Sequence, residues 1–168
     1  MIRIRAFGFD DETLLSRFLA LAAHERDTQT VLLNPQLARY VKHWGRDGDT
    51  AIVAQNETGA VVGMAWARLW TLDNRGFGWV DEQTPELVVA VEPGSQGRGL
   101  GTQLIEALKE ELRAQPLVGA RVSLSVRVDS PAVRLYERLG FRRIEGSQRK
   151  NRTGGVSFNM SAPLHETS

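Results

Sequence analysis

The sequence predicts an α/β (α+β) fold in which helices flank a central, mixed and twisted β-sheet. Two observations lead to this prediction. Strand-like and helix-like runs follow one another in the order β-α-α-β-β-β-α-β-α-β, which is typical of layered α/β domains. In addition, the apolar run 87–91 leads through a glycine-rich turn, 93–101, into a segment with leucine at every fourth position.

Length and composition favour one ordinary globular domain spanning residues 1–168. Hydrophobic residues make up 42% of the 168 residues and charged residues 24%. The formal net charge of +1 gives no overall field that would attract nucleic acid. Basic residues are concentrated in residues 121–152, where nine Lys and Arg face three Asp and Glu. This stretch lies either near an anionic cofactor or on a solvated surface.

Several classes of site and of location are excluded or unexpected. The chain has no cysteine, so it has no disulfide, no thiolate metal site and no cysteine nucleophile. His24, His43 and His165 lack the spacing of metal ligands, and no metal is expected. No apolar run approaches the length of a membrane span, and the N-terminus alternates like a strand, so we expect a soluble cytoplasmic protein.

The N-terminal part begins with a short strand and a capped helix. Ile2 and Ile4 alternate with arginines, which predicts the strand. Asp10 or Asp11 is placed to cap the helix that follows. The apolar stripe of that helix comprises Leu14, Leu15, Phe18, Leu19 and Ala22.

A second helix is predicted after Asn34-Pro35 and ends near Gly45, and two strands come next. The strand patterns at 51–54 and 60–70 are joined by Asn-Glu-Thr-Gly, a hairpin turn.

The connector 71–84 reads as a loop that carries two aromatic residues, Phe77 and Trp79. Loop aromatics either line a pocket or pack onto the nearest sheet. Beyond the central strand and helix, residues 122–128 alternate apolar and polar, which predicts a strand with one apolar face.

The last helix and strands are also marked by local signals. Ser130-Pro131 supplies a capping hydroxyl and a proline at the start of a helix, and Gly140 ends it. The predicted buried stripe of this helix comprises Ala132, Leu135, Tyr136 and Leu139. Two final strands, 141–145 and 156–160, enclose a basic loop.

The turn at 93–101 has the features of an anion site. Gly97, Gly99 and Gly101 allow a ligand to approach the backbone closely, and the free N–H groups at the helix start point towards it. No Gly-Lys-Ser/Thr follows, so this is not a Walker A loop, and the third glycine of a dinucleotide fingerprint is missing. The residues alone leave two interpretations open, a phosphate seat and a tight connection.

Two motifs resemble the GNAT superfamily of N-acetyltransferases. Gln96-Gly97-Arg98-Gly99-Leu100-Gly101 is similar to the Q/R-x-x-G-x-G/A signature of this family, and it follows a hydrophobic strand as the family requires. The segment 130–141, SPAVRLYERLGF, resembles the family's N-x-A-x-x-L-Y-x-K-x-G-F. It departs from that pattern at its first position, where Ser130 replaces the usual asparagine that touches the pantetheine arm.

The resemblance implies a GNAT-type fold and an acetyl-CoA-dependent N-acetyltransferase with a sequential mechanism. The central strand would supply the oxyanion donor from Val89 or Ala90, and Val91 would bind the pantetheine amide. The remaining expected contacts to acetyl-CoA, at the pyrophosphate and the pantetheine arm, are Gln96, Gly97, Arg98, Gly99, Leu100, Gly101, Thr102 and Ser130.

The resemblance also suggests catalytic roles for Tyr136 and Glu86. Tyr136 matches the family tyrosine that protonates the departing thiolate, although its helix position alone favours a core tyrosine whose hydroxyl merely finds a partner. Glu86, at the start of the central strand, is the candidate general base acting through water, or else an exposed strand-end carboxylate.

The acceptor is expected to be an amine, and acidic residues before the central strand, Asp73, Asp81 and Glu82, favour a small cationic one. A non-catalytic acyl-CoA sensor and, with less support, a phosphotransferase are the alternatives. The edge strands could pair two subunits, which makes a homodimer one expectation; no nucleic acid or membrane partner is expected.

Overall fold

The computed structural model describes residues 1–165, which form one eight-stranded sheet with helices on both of its faces. The strands are β1 Arg3–Ala6, β2 Thr50–Gln55, β3 Val61–Arg68, β4 Glu86–Val91, β5 Arg121–Arg127, β6 Arg142–Arg143, β7 Arg149–Lys150 and β8 Val156–Pro163. The helices are α1 Leu15–Ala22, α2 Thr28–Leu33, α3 Pro35–Ala38, α4 Leu100–Arg113 and α5 Ala132–Arg138.

The sheet has the order β1-β2-β3-β4-β5-β8-β6, and β7 also pairs with β8. Antiparallel pairing joins β1 through β4, as well as β8 with β5, β6 and β7. The pairing of β4 with β5 is parallel. The sheet is therefore mixed, as predicted, and its parallel junction lies at the centre.

Two apolar clusters cover the two faces. One contains the buried leucines of α4, the inward residues of β5 and the apolar residues of α5. The other contains α1, α2 and α3 together with Trp66 and Trp70. Along β4, Leu87, Val89 and Val91 face the first cluster, whereas Val88 and Ala90 face the second, because side chains alternate along a strand. We refer to these as the α4 face and the α1 face.

Helix α4 confirms the prediction made from its leucine spacing. Leu100, Leu104, Leu108 and Leu112 are all buried, and the four form one stripe because residues four apart share a face of a helix. The helix thus fixes its own N-terminus at the end of β4, where the glycine-rich turn lies.

Four features differ from the prediction. The helix predicted to end near Gly45 is the short helix α3, Pro35–Ala38. A 3₁₀ helix, Phe9–Leu14, precedes α1, and its cap is Gly8; Asp11 accepts a hydrogen bond from the Gly8 N–H (2.7 Å) instead of capping directly. Helix α2 was not predicted; Asp27 caps it by accepting from Thr30 N. The stripe of α5, predicted to be buried, is only half-buried, because this short helix packs at the edge of the α4 face.

The end of α5 is as predicted. Gly140 has φ +92°, and Phe141 N donates to Tyr136 O (3.0 Å), which closes the last turn. Among residues 1–165, no helix combines the length and the apolar character that crossing a bilayer requires.

Candidate active site

The two central strands separate almost as soon as they meet. Glu86 of β4 pairs with Ser123 of β5, and no further residue of β4 is paired with β5 in the described structure. All of β5, by contrast, pairs with β8 through seven consecutive residues, from Arg121 to Arg127. The edge of β4 beyond Glu86 is therefore unpaired, and we call the space beside it the β4–β5 gap.

The hydrogen bonds around β4 decide which of its N–H groups point into this gap. Glu92 N donates to Val62 O of β3 (2.8 Å), just beyond the end of the strand. Because N–H groups alternate between the two neighbours of a strand, Ala90 N–H also points to β3. The N–H groups of Val89 and Val91 then point into the β4–β5 gap. Of the two residues suggested for the oxyanion donor, only Val89 has the required direction.

The turn between β4 and α4 exposes a run of free backbone donors. Within the described residues, the N–H groups of residues 97–102 have no hydrogen-bond acceptor in the protein. Gly97 and Gly99 have φ of +80° and +74°, and no atom lies within 4 Å of the position a Cβ would take at either residue. Left-handed backbone of this kind strongly favours glycine. The turn is therefore open to a ligand and is shaped by its glycines.

The other residues predicted for this seat are distributed around it. Gln96 donates from Nε2 to Val91 O (3.1 Å), so its side chain ties the turn to β4. The side chains of Arg98 and Thr102 are exposed and half-buried, respectively. Leu100 begins α4 with its side chain buried, so its N–H is available while its side chain anchors the helix. The backbone N–H of Gln96 donates to Pro93 O (3.4 Å), so the predicted contact through this amide is not available, and the free donors are those of residues 97–102.

Helix α5 approaches the same turn. A Cβ at Gly101 would lie 3.3 Å from Leu135 Cδ2, so this glycine serves the contact between α4 and α5 as well as the turn. Ser130 Oγ accepts a hydrogen bond from Ala132 N (3.1 Å) at the start of α5. Helix α5 begins at Ala132 with Pro131 in the cap position and no capping side chain, so the predicted cap at Ser130 lies one residue too early. The hydrogen bond to Ala132 N nevertheless holds Ser130 in place at the entry to the helix.

Tyr136 lies on the α4 face, where its ring meets Phe141 edge-on at 5.8 Å between centroids. Within residues 1–165 its hydroxyl makes no hydrogen bond to the protein. Burial raises the pKa of Tyr136 to about 12, because the phenolate would be poorly solvated there. This hydroxyl thus stays protonated at neutral pH and has its hydrogen available for a ligand.

Glu86 is buried on the α1 face, and its carboxylate is enclosed by the protein. Tyr40 OH donates to Oε2 (2.7 Å) and Trp70 Nε1 donates to Oε1 (2.9 Å). A Cβ at Gly76 would lie 2.3 Å from Oε1, and a Cβ at Gly78 would lie 2.7 Å from the carboxylate carbon. The loop 71–84 therefore closes over this carboxylate and needs glycine at both positions.

Burial also changes the acidity of this pair. It raises the pKa of Glu86, although the hydrogen bonds from Tyr40 and Trp70 act in the opposite direction. Burial and the neighbouring carboxyl raise the pKa of Tyr40 well above its usual value. Tyr40 OH also accepts a hydrogen bond from Phe77 N (2.7 Å), so a neutral tyrosine links the loop to Glu86.

Next to this pair lies a group of residues that sequence reasoning missed. The guanidinium carbons of Arg39 and Arg149 lie 5.0 and 5.6 Å from the centre of the Phe77 ring. Phe77 in turn stacks on Tyr40, with ring centroids 6.2 Å apart. Arg149 donates to Asn159 Oδ1 (2.9 Å) and to the Ser125 hydroxyl. The sequence signal was weak, since Arg149 reads only as part of a basic loop.

The candidate residues therefore fall on opposite faces of the sheet. Tyr136 lies on the α4 face, and Glu86 and Phe77 pack on the α1 face. The β4–β5 gap joins the two faces, because no backbone pairing closes it beyond Glu86. Two ligands entering from opposite sides would meet beside Val89. Among the described residues, no group of His, Asp and Glu side chains is arranged to hold a metal ion.

Comparison with known proteins identifies the family to which the chain belongs. The model of the acetyltransferase (GNAT) family matches residues 18–141. The chain is 31% identical over 144 residues to a mycothiol acetyltransferase of Arthrobacter sp. (strain FB24), covering 84% of this chain and 43% of that protein. It is 30% identical over 138 residues to an N-alpha-acetyltransferase of Sulfurisphaera tokodaii, covering 74% of this chain and 75% of that protein.

A solved structure has the same fold. The phosphinothricin acetyltransferase of Sinorhizobium meliloti in complex with acetyl-CoA superposes with a TM-score of 0.68 at 20% identity, over 99% of this chain and 90% of that one. The chain spans less than half the length of the mycothiol acetyltransferases that it matches, 32% and 43% of two of them. The family model nevertheless covers most of the chain, and this protein belongs to the GNAT family of acetyl-CoA-dependent acetyltransferases.

Proposed function

We propose that this protein transfers the acetyl group of acetyl-CoA directly to a primary amine of a small acceptor. The observation that carries the proposal is the divergence of β4 and β5 after Glu86 and Ser123, next to the free N–H groups of residues 97–102. The gap supplies a passage between the two faces of the sheet, and the turn supplies a seat for a charged end of a substrate.

The donor is proposed to bind from the α4 face. The N–H groups of 97–102 would hold its pyrophosphate, helped by the positive end of the α4 dipole. The N–H of Val91, which points into the gap, would bind the pantetheine amide, and Ser130 lies where the arm passes α5. Backbone donors suit this role because they are fixed before the substrate arrives.

The acetyl thioester is proposed to lie beside Val89. Its N–H points into the gap and would stabilise the oxyanion that forms when the amine attacks the carbonyl carbon. One such fixed donor lowers a barrier by about 3 kcal/mol. Ala90, the other residue suggested by the sequence, directs its N–H to β3 and is therefore not the donor in this proposal.

Tyr136 is proposed as the general acid. As the carbon–sulfur bond breaks, the thiolate of coenzyme A would take the proton of the Tyr136 hydroxyl. The hydroxyl is protonated at neutral pH, and the absence of a protein acceptor for it within residues 1–165 leaves its proton free to serve the substrate.

The role of Glu86 is the part of the proposal that the geometry restricts most. A base must reach the amine directly or through one water, whereas both oxygens of Glu86 already accept hydrogen bonds from Tyr40 and Trp70. We therefore propose that Glu86 positions the loop 71–84 and α3 around the acceptor, and that water removes the amine proton. If Glu86 is instead the base, Glu86→Gln will lose turnover while keeping its fold.

The names of the relatives support acetyl transfer but point to different acceptors, mycothiol chemistry in one case and an N-terminal amine in the other. The small cationic acceptor suggested by Asp73, Asp81 and Glu82 stays a prediction, since all three side chains are exposed.

The test is release of free thiol from acetyl-CoA in the presence of a panel of primary amines, with mass spectrometry of the products. Acetylated amine formed together with coenzyme A supports the proposal. Tight binding of acetyl-CoA without transfer to any amine would contradict it and would favour the non-catalytic sensor.

A further inference from the structure

We propose that the acceptor amine also carries a carboxylate, and that Arg149, assisted by Arg39, binds this carboxylate on the α1 face of the gap. The inference rests on the proposed acetyltransferase function and adds a substrate class to it. Four observations on the described residues carry it.

The first is the position of Arg149 relative to the gap. Arg149 donates to the Ser125 hydroxyl, and Ser125 lies two residues beyond Ser123 on β5. On β4, Val88 lies the same distance beyond Glu86. Because Ser123 pairs with Glu86 and the strands run parallel, Ser125 and Val88 face each other across the opening gap, on the α1 face. The Arg149 guanidinium thus lies on the α1 face of the gap, level with Val88, the residue before Val89.

The second observation is that neither Arg39 nor Arg149 has a counter-ion among the described residues. The ion pairs among residues 1–165 involve other cations, and no carboxylate pairs with Arg39 or Arg149. The partners of Arg149 are neutral: a serine hydroxyl, the Asn159 amide oxygen and a backbone carbonyl. A half-buried cation without an anionic partner is costly unless a ligand supplies one.

The third observation concerns Arg39. Its Nε is buried and has no hydrogen-bond partner in the described structure, and its guanidinium carbon lies 5.0 Å from the centre of the Phe77 ring. Aromatic contact orients the guanidinium but satisfies none of its donors. Arg39 therefore presents its N–H donors beside Phe77, the ring against which Arg149 also packs.

The fourth observation removes the nearest competitor. Glu86 is the closest carboxylate on this face, but Tyr40 and Trp70 hold both of its oxygens inside the protein. It interacts with Arg149 through space without pairing with it. An incoming carboxylate would meet two guanidinium groups whose planar donors suit it, with its amine directed towards Val89.

The experiment compares matched acceptors: L-alanine with L-alaninamide, and L-phenylalanine with L-phenylalaninamide, at saturating acetyl-CoA. Rates are expressed per concentration of unprotonated amine, so that the different amine pKa values do not bias the comparison. Each pair differs in one group, which is an anionic carboxylate in the amino acid and a neutral carboxamide in its partner. For the wild-type protein we expect kcat/KM to favour the amino acid by about 10- to 100-fold, the range of one charge-assisted contact.

Three variants assign the preference to residues. Arg149→Gln should reduce the ratio to about one, mainly through a higher KM for the amino acid, and Arg149→Lys should keep part of it because it keeps the charge. Arg39→Gln should lower the ratio several-fold. Arg3→Gln, an exposed arginine on the far edge strand β1, is the control and should leave the ratio unchanged. Calorimetry with acetyl-CoA checks that each variant is folded. If Arg149→Gln does not fold, Arg39→Gln tests the inference instead. Its folding should be unaffected, because the Arg39 side chain makes no hydrogen bond to the described residues.

A wild-type protein that acetylates the amides as well as the amino acids, or acetylates neither, overturns the inference. So does an unchanged ratio in folded Arg149→Gln or Arg39→Gln. Transfer to spermidine without any preference for carboxylates would keep the proposed function and remove only this inference. Failure to bind acetyl-CoA would instead remove the proposed function.

Discussion

Glu86 and Ser123 form the one register pair that joins β4 to β5 in the described structure, and Ser123 N donates to Pro85 O (2.9 Å) at the same junction. The sheet is closed at this point and open beyond it. Ser123 Oγ also donates to Gly78 O (2.7 Å), so the loop that encloses Glu86 is attached to both strands. Hydrogen bonds therefore hold the strands together at this end of the gap, and no further pairing joins them towards the free N–H groups of the turn.

The first prediction concerns the seat for the pyrophosphate. Gly99→Glu should reduce acetyl-CoA affinity at least about 100-fold in calorimetry, because a carboxylate would enter the space in front of the amides and repel the phosphates. Gly146→Glu is the matched control. Gly146 has φ +79°, close to the +74° of Gly99, and likewise has no atom within 4 Å of its Cβ position.

Both substitutions impose a similar left-handed backbone on glutamate, at a cost of about 1–2 kcal/mol. A general effect of backbone strain would therefore lower the acetyl-CoA affinity of both variants equally. Equal affinities of the two variants for acetyl-CoA would contradict the assignment of the turn. Gly101 is less suitable for this test, because its Cβ would also press on Leu135.

The second prediction concerns Tyr136. Tyr136→Phe should lower kcat by about 100-fold, the usual size of one general-acid contribution, and change the KM for acetyl-CoA by no more than about threefold. The phenylalanine ring keeps the edge-on contact with Phe141, so the fold should be preserved. Steady-state kinetics at several pH values check this. Wild-type turnover in the variant would remove Tyr136 from the mechanism.

The third prediction follows from the direction of the Glu86 pKa. Burial raises this pKa above the ordinary carboxyl value of about 4.3. At a pH between the two values, Glu86 is protonated in the folded protein and ionised in the unfolded chain. Stability should consequently fall as the pH rises through this window. Glu86→Gln removes this dependence, because it does not titrate.

Urea unfolding from pH 4 to pH 8 measures the effect. The free energy of unfolding of the wild type, minus that of Glu86→Gln, should be most favourable at pH 4 and decrease as the pH rises. Glu82→Gln, exposed on the same loop, is the control. A difference that grows with pH would show that the carboxylate is stabilised in its charged form, and a constant difference would show that folding does not shift the pKa of Glu86. Either result contradicts the prediction.

The fourth prediction concerns the segment that carries Arg39. Arg68 is buried at the end of β3 and donates to both oxygens of Asp49, at 3.0 Å each. It also donates to the backbone carbonyls of Arg39, Lys42 and His43. One side chain thus fixes the end of α3 to the sheet, and with it the wall of the proposed acceptor site.

Arg68→Met should lower the free energy of unfolding by about 3–5 kcal/mol, because it leaves a buried carboxylate without a partner. The double variant Arg68→Met with Asp49→Leu should recover part of this loss. Arg17→Met, which breaks a more exposed pair with Glu92, should cost no more than about 1 kcal/mol. If the single and double variants are equally unstable in urea, the unpaired charge is not the cause.

The sequence was informative wherever the signal was local. The spacing of leucines along α4 and the glycine at 140 each depend on residues within a few positions, and the structure confirms both. Helix α2 was missed because its signal, Asp27 before Thr28, is short and lacks a long apolar stripe.

The acceptor side could not be predicted because its contacts are distant along the chain. Tyr40 and Glu86 are 46 residues apart, and Arg149 meets Ser125 over 24 residues. Two local features of the sequence nevertheless point to the acceptor side. The glycines on either side of Phe77 indicate close packing in the loop, and serines at 123 and 125 are unusual on a strand in the middle of a sheet.

The most direct test of the account is a titration of the ¹⁵N-labelled protein with acetyl-CoA, followed through its backbone amide resonances. We expect the largest shift changes at residues 97–102, with further changes at Val89 and Val91, whose N–H groups point into the β4–β5 gap. Saturable binding that leaves the resonances of residues 97–102 unmoved would contradict the account.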